Sequence, residues 1–204
     1  MLALKLLILP FLFGISLLTT VQETQPVEVK AFQVDTVHST AIFKVHHRGA
    51  GMFYGRFNDV TGTINADGSS PLFDISIDVN SVDTNNSKLD AHLKSPDFFN
   101  TVEYPVMTFK SLTSKKVVPI DLEGDLMPSD EKYEVAGEIT LHGVTKPLTV
   151  LMVKTGEVEG RRGELIGFET EFVLDRSEFG MTYGVESGAL GNQVKVIVAI
   201  EAIR

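Results

Sequence analysis

Five histidines, His38, His46, His47, His92 and His142, are the side chains here best suited to ligate a metal or move a proton. Their spacing argues against both. His46 and His47 are adjacent, so on a strand they point to opposite faces. No His-x-His, His-x-Glu or His-Glu-x-x-His pattern occurs, and the chain has no cysteine to offer a thiolate. No metal site is expected. A thiol nucleophile is excluded by composition, and no Gly-x-Ser-x-Gly elbow presents a serine. No carboxylate or nucleophile accompanies His92 at a spacing useful for catalysis, so no catalytic residue is expected either. Glycine-rich "GAGMFYG" lacks the strand-to-helix setting of a phosphate loop and reads as a hairpin turn.

Two polar features have more than one reading. If Phe43, Val45 and His47 share a face, His47 points inward beside aromatics, either bonded to a neighbouring strand or touching the head of a ligand. In "DRSEFG" (residues 175–180) Arg176 either belongs to a salt-bridged group near such a head or ties a corner of the fold together.

The elements that must position these residues are mostly strands. "AIFKVHH" alternates Ala41, Phe43, Val45 and His47 with Ile42, Lys44 and His46. "LFDISIDVNSV" sets Phe73, Ile75, Ile77 and Val79 against Asp74, Ser76 and Asp78, a strand with one dry and one wet face, which makes Asp74 and Asp78 solubilising. "GRFNDVTGTINADG" carries Phe57 and then shifts phase to Val60, Gly62 and Ile64, as a β-bulge would cause. Strand patterns resume in "YPVMTFKSLTS", "EKYEVAGEITLHG", "KPLTVLMVKTG", "ELIGFETEFVLDR" and "NQVKVIVAIEAIR", the last placing Val194, Val196, Val198 and Ile200 together. The exception is Asp83 to Leu93, which suits a short helix, followed by Ser95-Pro96 and the adjacent Phe98 and Phe99. Eight antiparallel strands in sequence order fit a sandwich or a closed barrel. Gly62 and Gly137 interrupt inward apolar rows otherwise marked by Phe43, Phe57, Phe73, Phe109, Phe168 and Phe172, which favours a hollow barrel.

Composition narrows the class. The first twenty residues hold one lysine, Lys5, ahead of a 13-residue mostly apolar run from Leu6 to Leu18. That run is short of the roughly 20 residues a membrane span needs and fits a signal peptide over residues 1–21. Residues 22–31 read as a polar tether and 32–204 as one domain. Beyond residue 20 lie 17 bases and 27 acids, a net of −10. That balance excludes nucleic acid and electrostatic attachment to anionic lipid as partners. The expected location is periplasmic or secreted, with no stable membrane span after processing.

The ordered set "VDTVHSTAIFKVHHRGAGMFYGRFNDVTGTI", "VDTNNSKLDAHLKSPDFFNTVEYPVMTFKS", "GEITLHGVTKPLTV" and "DRSEFGM" resembles the YceI-like, polyisoprenoid-binding proteins of bacteria. The resemblance covers nearly the whole chain after the leader. It implies an all-β, lipocalin-like, eight-stranded antiparallel barrel with one short helix in a strand connection and an apolar internal cavity. It also implies non-enzymatic binding of an isoprenoid or fatty amphiphile, such as a polyprenyl or quinone-like molecule, with no other cofactor, and a homodimer. A longer stretch, "KKVVPIDLEGDLMPSDEKYEV", departs from the family's usual connection, as does "GVESGALG" near the last strand.

On that basis the expected cavity wall comprises Phe43, Val45, Phe57, Phe73, Ile75, Ile77, Phe98, Phe99, Met107, Phe109, Ile139, Phe168 and Phe172. His47, His92 and Arg176 are the expected contacts to a ligand head. Lys44, Arg48, Arg56, Lys94 and Arg176 are the bases available to an anionic one. Burial of an apolar chain contributes about 0.8 kcal/mol per CH₂, so a tail of roughly 30 to 40 carbons would exceed the practical affinity ceiling of about −18 to −21 kcal/mol. Selectivity must therefore come from cavity length and head contacts. Two alternatives stay open: a quinone- or lipid-dependent enzyme or antioxidant factor using inward histidines, and a structural envelope protein with a solid core.

Overall fold

A computed structural model describes residues 30–66, 70–117 and 131–204. The leader expected over residues 1–21, most of the tether and the core of the long "KKVVPIDLEGDLMPSDEKYEV" connection fall outside the described residues. Among the described residues eleven strands run in chain order: β1 Lys30–Val34, β2 Thr40–His47, β3 Gly51–Phe57, β4 Val60–Ala66, β5 Leu72–Asp78, β6 Val82–Asp83, β7 Val106–Val117, β8 Lys132–Leu141, β9 Val144–Gly160, β10 Gly163–Asp175 and β11 Leu190–Ile203. One helix, α1, spans Ser87–Leu93. Lys30 and Ala31, expected in the tether, are strand residues, paired with Ala66 and Asn65.

The eleven strands form eight staves. β1 and β2 share one stave around a corner at Asp35–Ser39, and both lie against β11. β3 and β4 share the next, and β5 and β6 a third; β7 to β11 supply one each. Every pairing is antiparallel, and β1 pairing back onto β11 closes the barrel. The phase shift after Phe57 is not a bulge. It is a break between β3 and β4, at which the N–H groups of Asn58 and Asp59 both donate to Ser81 Oγ, at 3.1 and 3.0 Å. The break lets one stave pair with β2 along its first half and with β1 and β5 along its second.

Gly62 and Gly137 do not widen the lumen. Gly62 has φ +138, and a Cβ there would sit 2.1 Å from the carbonyl oxygen of Asp74; one at Gly137 would sit 2.4 Å from that of Lys110. Both are places where the neighbouring backbone presses in.

α1 starts four residues later than the sequence pattern suggests. Asp83 ends β6 instead, and Asn85 takes the left-handed φ of 60, turning the chain before a helix can begin. Asn86 then caps the helix, its side-chain oxygen accepting from the N–H groups of Lys88 and Leu89.

The barrel is solid at one end. Phe32, Ile64, Phe73, Tyr133, Val135 and Phe168 are fully or almost fully buried there. The corner between β1 and β2 is tied by His38, whose Nδ1 lies 3.0 Å from Asp35 and 3.7 Å from Glu201 on β11. These three side chains place potential ligand atoms within 4.8 Å of one another. The sequence search for metal spacing overlooked this set because the third member comes from the opposite end of the chain. Its mutual ion pairing is what the geometry accounts for, with the carboxylates drawing the His38 pKa up from its ordinary 6.5.

Candidate functional site

Above the solid end the lumen is open, a cavity of about 500 Å³. The structure thus rules out the solid-core alternative. Alternating inward positions build its wall stave by stave: Phe43 and Val45 on β2, Phe57 on β3, Ile75 and Ile77 on β5, Met107 and Phe109 on β7, Ile139 on β8 and Phe172 on β10. Period-two alternation supplies this wall because each strand turns every second side chain to the lumen. On β11 the Val194, Val196, Val198 and Ile200 row read from the sequence also lines it.

Phe73 and Phe168 do not line the cavity. They meet edge to face with ring centroids 5.0 Å apart, in the solid end, with Tyr133 beside Phe168 at 6.4 Å. They share their strands' inward rows with Ile75 and Phe172, which is why sequence alternation grouped them with the wall. Depth along the barrel separates them.

The connection from α1 to β7 folds over the mouth, and its two phenylalanines diverge. Phe99 enters the barrel, with edge-to-face contacts to Phe57 at 5.4 Å and Phe43 at 6.3 Å. Phe98 meets His92 of α1 edge to face at 4.9 Å and Tyr183 at a tilt at 5.0 Å, and both phenylalanines face the cavity. His92 does have a carboxylate partner: its Nε2 lies 3.0 Å from Asp97, because the turn after Ser95-Pro96 brings that residue back against the ring. Neither group is deeply buried.

The cavity's polar groups are few: His47, Arg48, His92, Thr108, Thr170, Arg176 and Tyr183. Among the described residues no carboxylate lines it. Arg48 and Arg176 are therefore its fixed charges, both positive, in a chain of net charge −9. Lys44, Arg56 and Lys94 do not line it. His47 sits at the exposed end of β2, opposite Gly51 and Leu190.

Arg176 is 5% exposed and makes no salt bridge among the described residues. Its guanidinium donates to four carbonyl oxygens, those of Tyr183 at 2.7 Å, Met181 at 2.8 Å, Gly191 at 2.9 Å and Leu190 at 3.4 Å. Burial pulls its pKa down from the ordinary arginine value. The acids of "DRSEFG" do not form the salt-bridged group one reading expected; Glu178 pairs with Lys146 at 2.9 Å. The corner reading describes Arg176, which also borders the cavity.

Sequence reasoning missed Leu148, Val150 and Met152 on β9 as wall residues, although their alternation in "KPLTVLMVKTG" was legible. Phe53 shares the alternating row of Phe57 on β3 and was likewise missed, whereas Met181 and Tyr183 carried no such signal, since their placement depends on how loops close the mouth.

Comparison with known proteins agrees with this architecture. The sequence model of the YceI-like domain matches residues 32–202. Protein YceI of Salmonella arizonae is 31% identical over 199 residues, spanning 95% of this chain and 97% of the relative. The crystal structure of the Campylobacter jejuni YceI protein superposes with a TM-score of 0.60 at 31% identity, covering 74% of this chain and 84% of that one. A polyisoprenoid binding domain from Saccharophagus degradans, implicated in plant cell wall breakdown, superposes with a TM-score of 0.63 at 18% identity, over 84% and 97% of the two chains.

Proposed function

The chain belongs to the YceI-like domain family, and on that footing we propose that it is a non-enzymatic carrier or store for an isoprenoid or similar long-chain amphiphile of the cell envelope. The observation that carries this reading is the cavity: predominantly apolar, closed at one end, with Arg48 and Arg176 as its fixed charges and no carboxylate among the described residues that line it. Such a lumen takes a hydrocarbon tail by excluding water from both surfaces. Arg48, His47, His92 and the spare donor capacity of Arg176 suit a head that accepts hydrogen bonds or carries negative charge. The polyisoprenoid binding ascribed to the Saccharophagus domain supports the tail chemistry. The leader-like residues 1–21 support an exported, processed protein, and the family resemblance supports a dimer.

Native mass spectrometry of protein purified from its own envelope fraction, followed by organic extraction, tests all three. The expected result is a polypeptide shortened by its leader, assembled in pairs, with one extractable amphiphile per barrel. Protein holding no organic molecule would sink the carrier reading, an unshortened mass the exported location, and a monomer the dimer. The paired His92 and Asp97 favour a second reading, an enzyme acting on the bound lipid. That reading requires chemical conversion of the extracted amphiphile, lost in His92→Ala while binding survives.

A further inference from the structure

We propose that residues 84–104 form a hinged door in the barrel wall, and that the amphiphile enters and leaves by its swing. This deepens the carrier reading and rests on it.

The strand wall is incomplete where the door sits. β6 pairs with β3 only at Arg56 and Phe57. Residues 51–55 of β3 therefore carry β2 on one flank and, among the described residues, no strand on the other. α1 and the connection after it close this side. Phe99 is the part that enters, resting on Phe57 and Phe43, while Leu89, Leu93 and Phe98 also turn to the cavity.

The segment's polar bonds are its own. The N–H groups of Phe98 and Asn100 donate to the Ser95 carbonyl, Phe99 to Leu93 and Thr101 to Lys94, each at 3.0 Å. The carboxylates of Asp90 and Asp97 pair with Thr84 and His92. Among the described residues, every hydrogen bond of residues 84–104 ends inside the segment or on the adjoining Asp83. The segment can move as one body without breaking a hydrogen bond to the rest of the barrel. Its ends suit a hinge, since a few residues absorb such a rotation. Asn85 already holds a left-handed φ of 60, which asparagine tolerates. Pro105 stays behind at the other end, its carbonyl accepting from the Val79 N–H at 2.9 Å.

Ring contacts hold the door shut against two fixed posts. Phe98 and His92 meet Tyr183 at 5.0 and 5.3 Å, and Arg176 secures the Tyr183 carbonyl. Tyr104 meets His142 at 4.6 Å, and His142 Nδ1 donates to the Phe179 carbonyl at 2.9 Å. An apolar tail beneath the door takes the place of water against its underside, so a loaded cavity favours closure.

The chain has no cysteine, so paired substitutions supply the only attachment points for a thiol clamp. Phe98→Cys with Tyr183→Cys, and separately Tyr104→Cys with His142→Cys, are each joined within one chain by a short bismaleimide. Geranylgeraniol in detergent micelles is the probe, and native mass spectrometry follows its uptake and its loss into empty micelles. Unlinked, both double variants should exchange it roughly two- to tenfold faster than the parent, the effect of losing a ring pair. Linked before loading, they should admit no probe; linked after loading, they should retain it on dilution into empty micelles. Circular dichroism verifies each fold, and should one pair fail to fold the other decides. Should neither fold, hydrogen exchange in the parent decides: the amides of residues 84–104 must open together and faster than those of β7. Linked protein that exchanges at the unlinked rate would overturn the door and leave the carrier reading standing. Unlinked protein that never takes up the probe would refute the carrier reading, and the door with it.

Discussion

Arg176 is a cation taken out of water with no carboxylate to balance it. Desolvating a guanidinium is costly, and the cost is offset here by donation to four backbone carbonyls. Those carbonyls belong to Met181, Tyr183, Leu190 and Gly191, so the side chain holds both the loop before β11 and the start of β11 onto the end of β10. The planar, forked donor set explains why arginine is suited to this position, since an ammonium group cannot reach four acceptors spread around it. Arg176→Met removes the donors and leaves the acceptors behind. Each buried acceptor left unmet costs about 1 to 3 kcal/mol where water cannot reach it, and the mouth admits some water, so a loss on the order of 3 kcal/mol is expected. Arg176→Lys should recover only part of it. Urea unfolding midpoints measure both, and a Met variant as stable as the parent would contradict the tie. "DRSEFG" marked Arg176 as a possible tie at a corner, but no sequence signal indicated that its partners would be carbonyls.

α1 is too short to hold itself together, since isolated helices under about 12 residues are marginal in water. Its seven residues depend on Asn86, which caps the first turn, and on Asp90, which accepts from both the N–H and the hydroxyl of Thr84, at 2.8 and 2.7 Å. The element presents Leu89, His92 and Leu93 to the cavity, so its order and the mouth's closure are linked. Asn86→Ala should cost about 1 kcal/mol, expressed as local opening rather than global unfolding. Hydrogen exchange should therefore accelerate at the amides of Asp90 and Lys94, while those of β10 and β11 keep their protection. Equal acceleration in the strands would show that α1 is not a separable cover. The strands were the legible elements: alternation identified the inward rows of β2, β5 and β11 because a half-buried strand repeats every two residues and the lumen reads that period directly. Three things were not legible. The break between β3 and β4 looked like a bulge, because both shift the phase of alternation and only the partner strands distinguish them. The start of α1 was obscured because an aspartate-asparagine turn is itself a short polar run. The assignment of Phe73 and Phe168 to wall or floor requires the depth of each residue in the closed barrel, which a one-dimensional pattern does not contain.

A barrel must close, and at the solid end few pairs do it: β1 meets β11 through Gln33–Ile203 and Val34–Ala202, while β2 continues the same seam toward the mouth. At the solid end an ion-pair cluster adds to those two pairs. Glu164 at the start of β10 pairs with Lys30 of β1 at 2.9 Å and with Arg204, just past β11, at 2.5 Å; Glu157 of β9 approaches Lys30 at 3.7 Å. Arg204 also lies 5.6 Å from the ring centre of Phe32, a fully buried residue of β1 in the solid end. The cluster therefore joins four staves, those of β1, β9, β10 and β11, and covers one side of the core that holds Phe73 and Phe168. Hydrogen bonds from Lys30 and Arg204 hold the Glu164 pKa at about 2, against its ordinary 4.5. A carboxylate depressed in the folded state stabilises that state fully above its unfolded pKa, and the stabilisation fades as pH falls through the folded value. The unfolding midpoint should thus lose this contribution between about pH 4.5 and about pH 2. Because the cluster is solvent-exposed, the effect is small and weakens with added salt. Glu164→Gln should lower the midpoint at neutral pH and flatten the acid slope, leaving the two proteins equal near pH 2. Urea melts of both proteins across that range decide it. Parallel slopes would assign the acid sensitivity to other carboxylates, whereas convergence would identify the seam at the solid end as the acid-labile part of the barrel.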